Sequence, residues 1–264
     1  MLTLYFSGTG NTRYIANDFA KKMNHKAYSI EENLDFVSLI TSHETIAFCY
    51  PIYTSDVPNI MKRFVNTHRL KLQNKNLIIL CTQLFFSGDG ARVFTDLLKD
   101  ITYTVIYAEH INMPNNICNL WVLPLAKEQR IARYLDHAES KLNKICENIE
   151  QGIIILRGFN PVSKWLGWFT QRAYFPKIET KAMKDVRIDA KCNLCGTCTR
   201  VCPMDNLTIE NNQIIQQGAC TLCYRCVNLC PQKAITVLIH SKVKKQYRYW
   251  LFDCGLQKNI YNKS

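Results

Sequence analysis

The sequence predicts an α/β chain, a doubly wound five-stranded parallel sheet followed by a small α+β unit, and three observations predict it. Residues 1–150 alternate apolar runs with amphipathic stretches. A junction rich in glycine and hydroxyls follows the first apolar run, and two cysteine-dense segments repeat at a fixed interval toward the C-terminus. Strands that alternate with helices imply a parallel sheet covered on both faces.

The strand-like runs fall at residues 2–6, 45–50, 77–82 and 104–111, with a weaker one at 26–30. Helical patterns occupy 12–23, 34–40, 58–65, 91–99 and a long 127–149. Five of each suit a doubly wound fold, whose ligand lies outside the carboxyl ends of the strands at the point where strand order reverses.

The first strand–helix junction reads Ser7-Gly8-Thr9-Gly10-Asn11-Thr12. Glycine lets backbone amides turn inward, and hydroxyls beside a helix N-terminus suit a phosphate. No lysine stands in the loop and no G-x4-G-K-[ST] occurs, so it is not a nucleotide-hydrolysing P-loop; nor does it read G-x-G-x-x-G. The segment resembles the S/T-x-T-G-x-T opening of flavodoxins. That resemblance implies that Ser7, Thr9, Gly10, Asn11 and Thr12 hold the phosphate of FMN. It further implies that the loops after the third and fourth strands wall the flavin ring: Pro51, Ile52 and Tyr53 on one side, and Thr82, Gln83, Leu84, Phe85, Gly88 and Gly90 on the other. Tyr53 and Phe85 are the stacking candidates. Both also suit ordinary core or surface positions, and the glycines also suit a plain turn. The loop at 112–116 is longer than a strand–helix link requires and is a candidate cover for the ring.

Cys192, Cys195, Cys198 and Cys202-Pro203 form one C-x2-C-x2-C-x3-C-P run, and Cys220, Cys223, Cys226 and Cys230-Pro231 form another. Each position of the second lies 28 residues after its partner in the first, and the repeat continues into 206–209 and 234–237, two expected strands. The spacing puts three thiolates of one loop on a [4Fe–4S] cube while the fourth reaches the other cube. One cluster would take Cys192, Cys195, Cys198 and Cys230; the other would take Cys220, Cys223, Cys226 and Cys202. Zinc knuckles prefer two C-x2-C pairs with a longer spacer. Disulfides would need a secretory context, and the N-terminus runs at once into a strand with no basic start. The segment resembles the bacterial dicluster ferredoxins.

The expected organisation is 1–152 for the flavodoxin-like domain, 153–184 for a joint rich in aromatics, 185–240 for the 2[4Fe–4S] ferredoxin domain and 241–264 for a basic tail. The aromatics Phe159, Trp165, Trp168, Phe169, Tyr174 and Phe175 are expected to pack the two domains together, with a membrane surface or a docked partner as the other reading of the stretch 164–174. Thirteen cysteines point to a reducing cytoplasm, and no run of 18 apolar residues spans a membrane. Cys49 and Cys81 read as small core residues; Cys118, Cys146 and Cys254 have no assigned role. Residues 1–155 carry 16 Lys+Arg against 15 Asp+Glu, net +1, and 156–264 carry 17 against 6, net +11. Part of that excess offsets the charge of thiolate-bound clusters. The rest would steer an acidic redox partner; no nucleic-acid motif accompanies it.

Taken whole, the chain resembles the fused flavodoxin–ferredoxin proteins of anaerobic bacteria and archaea. The resemblance implies a relay in which FMN exchanges one or two electrons and each cubane exchanges one, passing low-potential electrons to or from a redox partner protein. The alternatives are a ferredoxin-dependent flavin reductase acting on a quinone or other small molecule in a cavity near Phe85, Phe86 and Met113, and a redox sensor. No second dinucleotide motif supports direct NAD(P)H oxidation.

Overall fold

A strand covered on both faces must be apolar throughout rather than alternating. β1 (Leu2–Tyr5), β3 (Thr45–Pro51) and β4 (Lys75–Gln83) meet that demand. Residues 46–50 of β3 and 77–81 of β4 are wholly buried, Cys49 and Cys81 among them. The computed structural model describes residues 1–248, without the side chains of Gln171 and Pro176; Trp250 and Cys254 of the expected tail lie outside the described residues. With β2 (Ala27–Ser29), β5 (Tyr103–Asn112) and β6 (Ile155–Leu156), these strands form one parallel sheet ordered β2-β1-β3-β4-β5-β6. The order reverses between β1 and β3, so the switch point lies at their carboxyl ends. The sheet thus holds one strand more than the five expected. β6 has two residues and pairs only with Tyr107 and Ala108 of β5, too short to leave a pattern in the sequence.

Helices cover this sheet by burying one stripe each. α1 (Asn11–Lys22) buries Ile15, Ala16, Phe19 and Ala20. α2 (Phe36–Thr41) starts where the Asp35 carboxylate accepts from the Ser38 amide at 3.0 Å. α3 (Asn59–His68), the short α4 (Gly90–Val93) with the tight turn Phe94–Leu98 after it, and α5 (Glu128–Glu150) follow. α6 (Pro161–Gly167) is capped by Asn160 and runs into a wider turn, Trp168–Arg172. The Asn160 cap accepts from the Ser163 amide at 2.8 Å.

The chain divides into two compact units. One comprises Met1–Ser7, Asn11–Met113 and Glu128–Tyr174; the other comprises Gly8–Gly10, Pro114–Lys127 and Phe175–Ser264. The expected joint therefore divides between them after Tyr174. Of its aromatics Phe175 is buried and Phe159 half-buried, whereas Trp165, Trp168, Phe169 and Tyr174 are exposed. The reason is steric, because α6 buries Gly167 rather than a ring.

In the second unit, α7 (Phe175–Met183) leads to β7 (Val186–Ile188), which pairs antiparallel with β10 (Ile235–Val237). β8 (Leu207–Glu210) and β9 (Gln213–Gln216) form a hairpin that turns at Asn211 and Asn212, both at positive φ as a two-residue turn requires. The cysteine repeat is a repeat of backbone. α8 (Thr197–Val201) and α9 (Arg225–Leu229) stand 28 residues apart. So do the left-handed pairs Leu194/Leu222, Gly196/Tyr224 and Asp205/Lys233.

Candidate functional site

The junction after β1 is built as an anion cradle. Ser7, Thr9 and Thr12 are buried, Gly10 turns at φ 106°, and α1 begins at Asn11 with no acid in its first turn. The Thr12 and Thr82 hydroxyls lie 2.7 Å apart, fixing the start of α1 to the end of β4. Within the second unit, Asn116 Nδ2 donates to Thr9 Oγ1 at 2.8 Å. Hydroxyls, glycine backbone and a helix N-terminus without a competing carboxylate suit a phosphate.

In the first unit, the loops after β3 and β4 are tied to each other. Ile52 N donates to Thr82 O at 2.9 Å, and Tyr50 Oη donates to Gly90 O at 3.0 Å. Pro51, Ile52 and Tyr53 are half-buried, as are Gln83 and Leu84, whereas Phe85 and Phe86 are exposed and Met113 is buried. Gln83 Nε2 donates to Phe85 O at 2.8 Å and to Asn112 Oδ1 at 3.0 Å. Space beside the two glycines is filled by protein. A Cβ on Gly90 would collide with Ile52, and one on Gly88 would sit 2.6 Å from Gly167 Cα. Gly88 is also at φ 61°, so both its conformation and its neighbour require glycine.

Sequence reasoning missed what holds these loops. Asp89, fully buried, accepts from both terminal nitrogens of Arg172 and from Arg92 Nε at 2.8 Å. Arg172 Nη1 also donates to Ser55 O at 3.1 Å, and the Ser55 hydroxyl donates to Ser87 O. One guanidinium thus bridges the β3 loop and the β4 loop. Nearby, His110 Nε2 accepts from the Ala91 amide at 3.1 Å, and burial pushes the His110 pKa down to about 4.

The eight repeated cysteines sort into two cavities of the second unit. Cys192, Cys195, Cys198 and Cys230 line one; Cys202, Cys220, Cys223 and Cys226 line the other. In each, three thiols come from one run and the fourth from the other. Among the described residues no three His, Cys, Asp or Glu side chains close around a single metal ion; the thiols line cavities instead. Burial pushes the pKa of Cys198 up to about 11 and of Cys220 up to about 12, and holds Cys226 well above the thiol range. Burial thus opposes ionisation of these three thiols, and the irons of a cluster would supply the positive charge that offsets it. Backbone amides also reach the sulfurs: Asn206 N lies 3.3 Å from Cys202 Sγ, Ala234 N 3.3 Å from Cys230 Sγ and Leu222 N 3.4 Å from Cys220 Sγ. The donor set fits iron–sulfur clusters.

Residues 2–108 match the family model described as Flavodoxin domain, and residues 191–235 match the one described as 4Fe-4S dicluster domain. The chain joins a flavodoxin domain to a 4Fe–4S dicluster domain. The flavodoxin domain implies a flavin and the dicluster domain implies iron–sulfur clusters, so electron transfer is the function of the pair. Among solved structures, the chain is similar to two-electron reduced flavodoxin from Megasphaera elsdenii, at 22% identity over 53% of this chain and 99% of that one, TM-score 0.38. It is also similar to a flavodoxin from the Archaea (14% identity, 56% of this chain, 97% of that one, TM-score 0.38). A third is oxidised Flavodoxin 1 from Bacillus cereus (14%, 54% and 96%, TM-score 0.36). No curated protein matches the chain.

Two contacts inside the second unit bear on how the dicluster domain is framed. A Cβ on Gly8 would stand 2.5 Å from Cys223 O, and Arg225 Nε donates to Gly8 O at 3.1 Å. Asn228 Nδ2 donates to Asn116 O at 3.0 Å. Neither Arg225, Asn116 nor Asn228 was expected from sequence. The one visible signal was the density of asparagine at 112, 115, 116 and 119, unusual for a plain connecting loop.

No helix among the described residues is long and apolar enough to cross a membrane.

Proposed function

We propose that the chain is an electron relay with one FMN and two [4Fe–4S] clusters, and that it carries low-potential electrons to or from an acidic redox partner protein. Ser7, Thr9, Gly10, Asn11 and Thr12 bind the FMN phosphate. Pro51–Tyr53 and Thr82–Phe85 border the ring, while Gly88 and Gly90 let those loops pack. Cys192, Cys195, Cys198 and Cys230 hold one cluster; Cys202, Cys220, Cys223 and Cys226 hold the second. The flavin supplies the change between two-electron and one-electron chemistry; the chain's residues bind, orient and shield.

The observation that carries the reading is that glycines of the phosphate loop, Gly8–Gly10, belong to the same compact unit as the cysteine cages, with Gly8 against Cys223. The cages also differ in access. Cys195 is exposed and Cys192 half-buried, whereas Cys220, Cys223 and Cys226 are all buried. The cage with the exposed Cys195 is the one that meets the partner. Anaerobic reductive titration followed by absorption and EPR, with iron, sulfide and flavin assayed on the same sample, tests this. About eight irons and one FMN per chain are expected, with semiquinone and two distinct cubane signals appearing in sequence. Zinc in place of iron, or no flavin after reconstitution, overturns it.

A further inference from the structure

We propose that the aromatic surface of α6 and the turn after it seats the protein on an anionic lipid surface. Five large apolar side chains within thirteen residues stand in solvent: Val162 is 66% exposed, Trp165 60%, Trp168 57%, Phe169 51% and Tyr174 63%. An apolar patch of this kind on a protein surface marks an interaction site. The rings are not on a loose loop. Trp165 and Phe169 stack at 5.4 Å with planes 3° apart. Beneath them Asn160 caps α6, Gly167 sits hard against Asp89 and Ser55, and Arg172 is locked to Asp89. The fold spends its small residue inward and its large ones outward.

Charge selects the occupant. Within the first unit, residues 156–174 hold Arg157, Lys164 and Arg172 and no acid. Arg157 and Arg172 pair with Glu109 and Asp89, and Lys164, one residue before Trp165, is exposed. Tryptophan and tyrosine with interspersed lysine is the chemistry of a headgroup interface, where amphipathic rings lie at the boundary and ammonium groups meet anionic headgroups. A protein interface of this size favours arginine and depletes lysine. No helix among the described residues is suited to crossing a membrane, and the proposed surface lies on the bilayer.

The test is co-sedimentation of the full-length holoprotein with vesicles of phosphatidylcholine alone or mixed equally with phosphatidylglycerol, alongside tryptophan emission. Binding to the anionic vesicles is expected, weakened by salt and accompanied by a blue shift. A Trp165→Ser/Trp168→Ser variant with unchanged circular dichroism and cofactor content should lose about tenfold or more in partitioning. Lys164→Glu, which leaves the aromatic surface intact, should lose about fivefold. Two results overturn the proposal: no binding to either vesicle, or equal binding by the tryptophan variant.

Discussion

Replacing Arg172 by methionine should show whether the segment after the sheet is part of the flavodoxin domain's working loops. The variant keeps the aliphatic stem and removes the fork. Asp89 would lose two of its three charge-assisted bonds, and Ser55 O would lose its donor. Asp89 is fully buried, so its carboxylate cannot recruit bulk water in exchange. Breaking a buried ion pair costs about 3–5 kcal/mol. Arg92 remains at 2.8 Å, though it is already shared with Asp96 at 3.2 Å, so roughly half to two thirds of that cost, about 2–3 kcal/mol, should appear. Arg172→Lys restores charge without the two-pronged geometry and should recover only part of it.

The assay is urea unfolding of the holoprotein, followed by flavin release and far-ultraviolet circular dichroism, because a two-unit chain need not unfold in one step. Flavin affinity should fall by about tenfold together with stability, since one guanidinium bridges both loops. Lys99→Met, an exposed control, should stay within about 0.5 kcal/mol of wild type. If Arg172→Met matches that control in stability, the bridge contributes nothing. If stability falls while flavin affinity holds, the loops are not what places the ring.

Three further outcomes are expected. His110 is buried with its pKa near 4 against an unfolded value near 6.5, so the unfolded chain takes the proton first; the stability tied to neutral His110 is complete above about pH 6.5 and is lost progressively down to about pH 4, by about 3 kcal/mol in all. His110→Gln keeps an acceptor for Ala91 N and should flatten stability across that window in pH-dependent urea titrations. Gly8→Ala puts a methyl group 2.5 Å from Cys223 O and should cost about 1–3 kcal/mol, with iron content falling in parallel; unchanged iron and stability would mean the two backbones are free to part. Cys230→Ser and Cys195→Ser should alter the same cubane EPR signal and leave the other intact; two different signals affected would reject the crossed ligand sets.

The parts legible in the sequence are those with a local cause. Apolar runs marked β1, β3, β4 and β5 because a strand buried on both faces admits little else, and the cysteine interval marked both cages because the repeat also repeats backbone dihedrals. The unread parts depend on tertiary neighbours. β6 exists only because β5 offers Tyr107 and Ala108 at an open edge. Gly88 looked like a place for a ligand to approach, whereas the neighbour it accommodates is Gly167, nearly eighty residues on. Arg172 and Asp89 lie 83 residues apart, with no periodicity to join them. The burial of Gly167 rather than a ring was not legible because composition alone cannot say which face of a short helix turns inward.

What the repeat does not share explains more than what it does. Counting 28 residues from the first run, Gly196 becomes Tyr224, Thr197 becomes Arg225 and Arg200 becomes Asn228. Each replacement makes a bond that its counterpart does not. Tyr224, held at φ 60° where the first run has glycine, donates its hydroxyl to Val237 O at 2.7 Å. A bulky residue persists in that conformation only when its surroundings over-determine it. Arg225 reaches Gly8 O, and Asn228 reaches Asn116 O and takes the Tyr247 amide at 2.7 Å. Arg200, by contrast, turns back to Cys195 O at 3.2 Å within its own exposed run. The second run has diverged into a socket for pieces of the N-terminal half, while the first has kept small or solvent-facing residues at the same positions. Two cages of one backbone plan thus differ in their surroundings: Cys220, Cys223 and Cys226 are buried, whereas Cys195 is exposed.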